Sequence, residues 1–253
     1  MWSDYWKDYL DRVRQIRGIT SIHLTEKEGL NNPYSTIMAH ILNNYSDIET
    51  VLDIGAGDGA ISLIGSKIKC DKKLILCDNE NGALKVAKHN ADNLKIKNIY
   101  FIQGNILKIP FRDNSFDLVW SAGVNEHFEG EENRQKTFSE MVRVSNKYVG
   151  IIVPNALSIP YRIGKMISRI FNKWVWGYEK PLSRLELEQR LQKEMLRINS
   201  RYGMDILFSL KFLFFRKIFR RFSRKAFDYR IHHLLNIWLG RDIGVLAEKI
   251  SRH

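Results

Sequence analysis

The sequence predicts a doubly wound α/β fold with a mostly parallel sheet, and three observations carry that reading. Short, predominantly apolar runs recur at Thr50–Ile54, Lys73–Cys77, Asn98–Ile102, Phe116–Trp120 and Tyr148–Val153. Helical segments separate them near 59–69, 81–93 and 131–144. The first run leads straight into a glycine loop, Asp53-Ile-Gly55-Ala-Gly57-Asp-Gly59. Strands without polar alternation, joined by helices, are buried on both faces. In such sheets ligands bind at the carboxyl ends of the strands.

Before the first strand, residues 1–45 read as a helical cap. Trp2, Trp6, Tyr9 and Val13 fall at helical spacing, and Asn32-Pro33 opens a helix carrying Ile37, Ala39, Ile41 and Leu42. Residues 46–155 form the α/β core, and 156–253 a more elaborate C-terminal part. There, 155–182 are rich in aromatic and basic residues, 183–199 read as a helix capped by Ser183, and Gly244–Ile250 reads as a closing strand. Near 213–240, Phe215, Ile218, Phe219, Phe222 and Ala226 recur at helical intervals. Arg216, Lys217, Arg220, Arg221, Arg224 and Lys225 take the complementary positions. That pattern is an amphipathic helix with a dense cationic face, packed on the domain, laid on an anionic membrane, or meeting an anionic substrate such as a phosphate-linked lipid or RNA.

The bulk properties narrow the class. A net charge of +12 favours anionic partners without bearing on the fold. Two cysteines, Cys70 and Cys77, are too few for a disulfide framework and suit a reducing compartment. The first residues lack the order of a signal peptide, and the most apolar stretch, Ile206–Phe215, contains Lys211 and is too short to span a bilayer. A cytoplasmic protein is expected, with peripheral membrane association through 213–240 as an option.

The glycine loop admits two ligands on its own. Gly55-x-Gly57-x-x-Ala60, with Asp78 downstream, satisfies a loose dinucleotide fingerprint. Against it, Asp53 and Asp58 put two carboxylates where a pyrophosphate would lie, and Gly59 stands where that fingerprint has no glycine. Acids in the loop suit a cationic amino-acid ligand.

Val51–Gly59 resembles the first motif of the class I S-adenosyl-L-methionine (SAM)-dependent methyltransferases, type 11 group. Further segments are similar in order across about 45–155: Leu74–Asp78, Gly104–Phe111, and Ser115–Ser121 followed by Val124–His127. The resemblance implies a Rossmann-like fold with seven strands, and SAM as cofactor. It places Asp53 and Gly55 near the methionine part, Gly57 where the cofactor approaches the backbone and Asp78 at the ribose hydroxyls, with Ala56, Gly59 and Asn79 as further cofactor-binding residues. Asn105 and Ile106 fall at the adenine, and Ser121 at the end of the fourth strand. Asn105 departs from the usual aspartate.

Methyl transfer from a sulfonium needs alignment and, for a hydroxyl acceptor, a base. His127 is the candidate base, with support of the loop as its alternative, and Glu126 is the candidate anchor. Tyr5, Trp6, Tyr9, Tyr161, Trp176 and Tyr178 are candidate acceptor walls, with plain packing as the alternative. The other histidines, His89 and the His232-His233 pair among them, have no convincing metal partners, so no metal is expected. The expected acceptor is a small or lipid-linked metabolite, methylated at oxygen. RNA or protein acceptors are the alternative within the class, RNA the less favoured because no RNA-binding module is recognisable. A catalytically silent adaptor is the alternative outside it.

Overall fold

The computed structural model describes residues 33–67, 72–172, 174, 176–204 and 240–250. The residues read as the first part of the helical cap and nearly all of the basic segment at 213–240 lie outside this set, as do Tyr5, Trp6 and Tyr9.

The described elements are α1 (Pro33–Asn44), β1 (Thr50–Ile54), α2 (Ala60–Lys67), β2 (Lys73–Asp78), α3 (Asn81–Leu94), β3 (Ile99–Gln103) and β4 (Phe116–Ala122). They continue with α4 (Glu131–Val144), β5 (Ser145–Pro154), α5 (Ile159–Ile170), α6 (Arg184–Lys193), β6 (Leu196–Met204) and β7 (Asp242–Lys249). The strands make one seven-stranded sheet in the order β3-β2-β1-β4-β5-β7-β6. β1 pairs in parallel with β2 and β4, β2 in parallel with β3, and β6 runs antiparallel to β7. The order reverses beside β1, where a doubly wound sheet opens its crevice. The doubly wound, mostly parallel, seven-stranded fold read from the sequence is therefore the observed one.

By their internal contacts the described residues divide into two compact units, one within 1–122 and 135–150 and one within 123–134 and 151–253. In the first, β1 and β2 are buried almost throughout. Asp117 binds β1 to β4: its Oδ2 accepts from the Glu49 and Thr50 amides at 3.0 Å each and from the Thr50 hydroxyl at 2.9 Å. α1 packs on α2 across Gly65, where a Cβ would come within 2.5 Å of Met38. Gly150 of β5 gives Trp120 its place, since a Cβ there would strike the indole ring.

In the second unit, Ser183 caps α6 in a reciprocal box. Its Oγ accepts from the Glu186 amide at 3.2 Å, while the Glu186 carboxylate accepts from the Ser183 amide at 2.7 Å. The helix expected over 183–199 is corrected here: it ends at Lys193, Met195 takes a left-handed φ of 61°, and β6 follows. Leu196, Tyr202 and Met204 are buried on β6 while Arg197 and Arg201 face out, a period-2 pattern hidden by a register shift between Ile198 and Ser200. α5 is a further helix that the sequence reading left unassigned within 155–182.

Candidate functional site

The loop after β1 takes its shape from three residues with positive φ, Gly55 at 74°, Gly57 at 56° and Gly59 at 72°. These values belong to the region where side chains other than glycine are strained. Gly59 has a second constraint, because a Cβ would approach Leu76 to 2.7 Å. The loop is pinned to β2 through the Cys77 carbonyl, which accepts from the Gly55 amide at 2.7 Å and the Ala56 amide at 3.2 Å.

Three acids surround this backbone. Asp53 at the end of β1 is buried and accepts from the Ser62 hydroxyl at 2.6 Å. Asp58 accepts from the Ala60 amide at 3.1 Å at the start of α2. Asp78, at the end of β2, accepts from the Gly57 amide at 2.8 Å and from the Glu80 amide at 2.9 Å. Burial pushes all three carboxyls up. Asp53 reaches about 7, with the charges of Asp78 and Asp58 adding to the effect of burial. Among the described residues no lysine or arginine pairs with any of the three. Buried carboxylates without a counter-ion suit a cation and oppose a diphosphate.

These residues fit SAM, whose sulfonium and ammonium groups are both cationic. Asp53 and the glycine loop would face the methionine part. Asp78 uses one lone pair on each oxygen for backbone amides and keeps capacity for ribose hydroxyls. Asn79 is exposed just beyond it. Asn105 is exposed, and its Oδ1 already accepts from the Leu107 amide at 2.8 Å in a local turn, so any adenine contact is shared with that bond. Ile106 is buried beside it in the chain, and Ser121 is fully buried with a hydroxyl that has no hydrogen-bond partner. The structure thus brings Asp53, Gly55, Ala56, Gly57, Gly59 and Asp78 together at the carboxyl ends of β1 and β2. Ser62 joins them unforeseen, because a serine in the first turn of a helix carries no signal by itself.

The second unit gathers a different group. The chain leaves β4 through Gly123 and a short 3-10 turn, Asn125–His127. Tyr178's backbone oxygen lies 2.7 Å from His127 Nδ1. A carbonyl can only accept, so Nδ1 carries the proton and Nε2 holds the lone pair. Burial lowers the His127 pKa and keeps the ring neutral. Glu126 is 2 % exposed, its Oε1 lies 3.8 Å from His127 Nε2, and its Oε2 has no hydrogen-bond partner. Burial, helped by the nearby charges of Glu179 and Asp242, raises its carboxyl well above the usual range.

Glu179 completes the group, raised to about 7 by burial. Lys165 donates to its backbone oxygen at 2.7 Å and to Oε1 at 3.2 Å, and burial brings this lysine down to about 8. Ligand atoms of Glu126, His127 and Glu179 lie within 4.8 Å of one another, a donor set that a divalent ion could use. The Lys165 ammonium supplies a counter-charge to Glu179 at 3.2 Å. Tyr161, Tyr178, Lys165 and Glu179 line a cleft of about 620 Å³. Two of the expected acceptor walls, Tyr161 and Tyr178, therefore meet, while Trp176 is not part of that lining. Sequence reasoning missed Lys165 and Glu179. Glu179 lies inside the Trp176–Pro181 segment, where the aromatic residues drew the attention, and Lys165 reads as one more cation on a basic helix.

Comparison with known proteins agrees with the first unit's chemistry. The family model described as a methyltransferase domain matches residues 46–199. The demethylmenaquinone methyltransferase of Oceanobacillus iheyensis is 27 % identical over 149 residues, covering 52 % of this chain and 61 % of that protein. A ubiquinone/menaquinone biosynthesis C-methyltransferase of Legionella pneumophila is 30 % identical over 115 residues, covering 45 % of this chain and 42 % of that protein. The chain thus spans less than two thirds of the length of these curated relatives. Among solved structures, magnesium protoporphyrin IX methyltransferase from Synechocystis with bound S-adenosylhomocysteine (SAH) aligns at a TM-score of 0.64 and 13 % identity, covering 98 % of each chain. A SAM-dependent methyltransferase from Aquifex aeolicus aligns at 0.52 and 18 % identity, covering 90 % of this chain and all of that one. A glycine loop ringed by three acids, on a sheet of this order and within the matched span, places the chain in the methyltransferase-domain family of SAM-dependent enzymes.

Proposed function

We propose that this enzyme transfers the methyl group of SAM to a small or lipid-linked metabolite, at an oxygen that loses its proton in the reaction. The observation that carries the donor side is the set of acids around an amide-rich loop, Asp53 and Asp78 buried and Asp58 half-buried, with no lysine or arginine among the described residues paired to them. The sulfonium supplies an activated methyl group, and SAH leaves as the product. Residues 46–155 act as the cofactor-binding core, with 1–45 as its cap and 156–253 as the acceptor-side portion.

The acceptor side rests on His127. Its tautomer leaves Nε2 basic, and a neutral imidazole can take the proton that an attacking hydroxyl sheds. Glu126 faces Nε2 at 3.8 Å, Glu179 offsets the Lys165 ammonium whose charge would otherwise oppose the resulting imidazolium, and Tyr161 and Tyr178 would wall the acceptor. A second reading moves the methyl to a ring carbon of a phenolic acceptor. It draws on the curated relatives, one named for demethylmenaquinone and another as a C-methyltransferase of ubiquinone/menaquinone biosynthesis. Both readings need a base, and they differ in the product. Incubation with SAM and a panel of hydroxylated and phenolic metabolites, with SAH measured by chromatography, tests the proposal. SAH formation only with hydroxyl or phenol acceptors is expected, and mass spectrometry of the product separates oxygen from carbon.

A further inference from the structure

α5 is built inside out for a helix on a protein surface. It buries Tyr161 and Gly164, yet Ile159, Ile163, Met166 and Ile170 recur at helical spacing on the opposite side. Exposure reaches 63 % at Ile159, 56 % at Met166 and 67 % at Ile170. Leu157 just before the helix and Phe171 just after it are 53 % and 66 % exposed. A contiguous apolar face of this kind marks an interaction site, since surface helices ordinarily turn such a stripe inward.

The charges beside the face identify what it meets. Arg162 and Arg169 are exposed along one flank, and no aspartate or glutamate occurs anywhere in Ile159–Ile170. Trp176, in the turn that follows, is also partly exposed. Apolar residues, arginines, an exposed tryptophan and the absence of acids match a bilayer interface. Its acyl boundary accepts the apolar row, and its phosphates accept the guanidinium groups. No helix among the described residues is long and apolar enough to cross a membrane, so such a contact lies on the bilayer.

We propose that α5 lies flat in the headgroup region of an anionic bilayer, its Ile159–Ile163–Met166–Ile170 face inserted and Arg162 and Arg169 on lipid phosphates. This contact is separate from the one expected of the 213–240 segment. Met166 and Ile170 also line the cleft that holds Tyr161 and Tyr178, so an acceptor dissolved in the bilayer would reach that cleft along the same helix. This last consequence alone rests on the acceptor reading above. The membrane contact does not.

Flotation with vesicles of phosphatidylglycerol and phosphatidylcholine, against phosphatidylcholine alone, tests the proposal at low and high salt. The full chain is expected to float with the anionic vesicles and to leave them as salt rises. Ile167 borders the inserted row and is 39 % exposed, so the triple variant Ile159→Gln, Ile167→Gln, Phe171→Gln alters exposed side chains outside the cleft lining, and should lose flotation while keeping its melting temperature and SAH binding. Arg162→Gln and Arg169→Gln should each weaken binding roughly fivefold. Phe171→Gln alone provides a milder variant should the triple one fold poorly. Three results would overturn the proposal. In one, anionic vesicles are ignored. In another, the α5 variants float like the wild type while Arg220, Arg221, Arg224 and Lys225 changed to Gln do not. In the third, the triple variant dissolves a dimer without altering flotation, which would assign the face to a second copy of the chain.

Discussion

Asp53 should make cofactor affinity depend on pH in a way that follows from its burial. Its carboxyl stands at about 7, so it is mostly protonated at pH 6 and mostly ionised at pH 8. A cationic ligand binds the ionised form, and the protonated fraction reduces the observed affinity. With one group at about 7, the expected Kd for SAM falls about tenfold between pH 6 and pH 8, equivalent to roughly 1.4 kcal/mol. Binding near pH 7 should release about half a proton, which calorimetry in two buffers of different ionisation enthalpy measures directly. The free protein should respond in the opposite sense. Raising the folded pKa from 3.8 to about 7 means the native state holds a proton that the unfolded chain gives up. Stability therefore falls as pH rises across that window, by roughly 4 kcal/mol in total. Asp53→Asn keeps an acceptor for Ser62 and removes the ionisation. It should flatten both slopes, weaken SAM, and raise the melting temperature of the free protein at pH 8. An unchanged pH slope in Asp53→Asn, or a lower melting temperature at pH 8, would refute the reasoning.

Further consequences can be checked with single variants. Asp78→Ala should weaken SAM by about 2–3 kcal/mol in a titration, because a charged acceptor is lost. It should also loosen the loop, since Gly57 loses its amide acceptor. Gly57→Val places a β-branched residue at a φ of 56° and should abolish SAM binding. Gly59→Ala combines a φ of 72° with a 2.7 Å approach to Leu76, so its melting temperature should drop. His127→Ala should slow the saturated rate roughly a hundredfold while leaving SAM affinity intact, and formation of product at a normal rate would remove the histidine from the chemistry. Glu179→Gln removes one partner of Lys165, and should lower kcat more than it alters SAM binding if the pair supports His127.

How much of this was legible in the sequence depended on whether one local rule governed each segment. Thr50–Ile54 could be read to the residue, because an apolar run ending in a glycine loop has one structural outcome. Glu131–Val144 was equally clear from its helical spacing. The end of α6 was not, because a run of good helix formers continues to the left-handed Met195 and a bulge masks the alternation of β6. The loop acids were visible because motif spacing fixes them. The Glu126–His127–Glu179–Lys165 group was only half visible, since its members come from three separate segments and meet only through folding. α5 escaped because its apolar residues point away from the core, where a periodicity argument expects them to point inward.

The most direct measurement follows a labelled methyl group. The protein is incubated with methyl-labelled SAM and a cell extract, which is then separated into small-molecule, lipid, RNA and protein fractions. The account predicts label in the small-molecule or lipid fraction, formation of SAH in equal amount, and loss of both in Gly57→Val. Label confined to RNA or protein would contradict the proposed acceptor. The absence of any transfer, together with stabilisation by NADH and none by SAM, would contradict the reading of the loop itself.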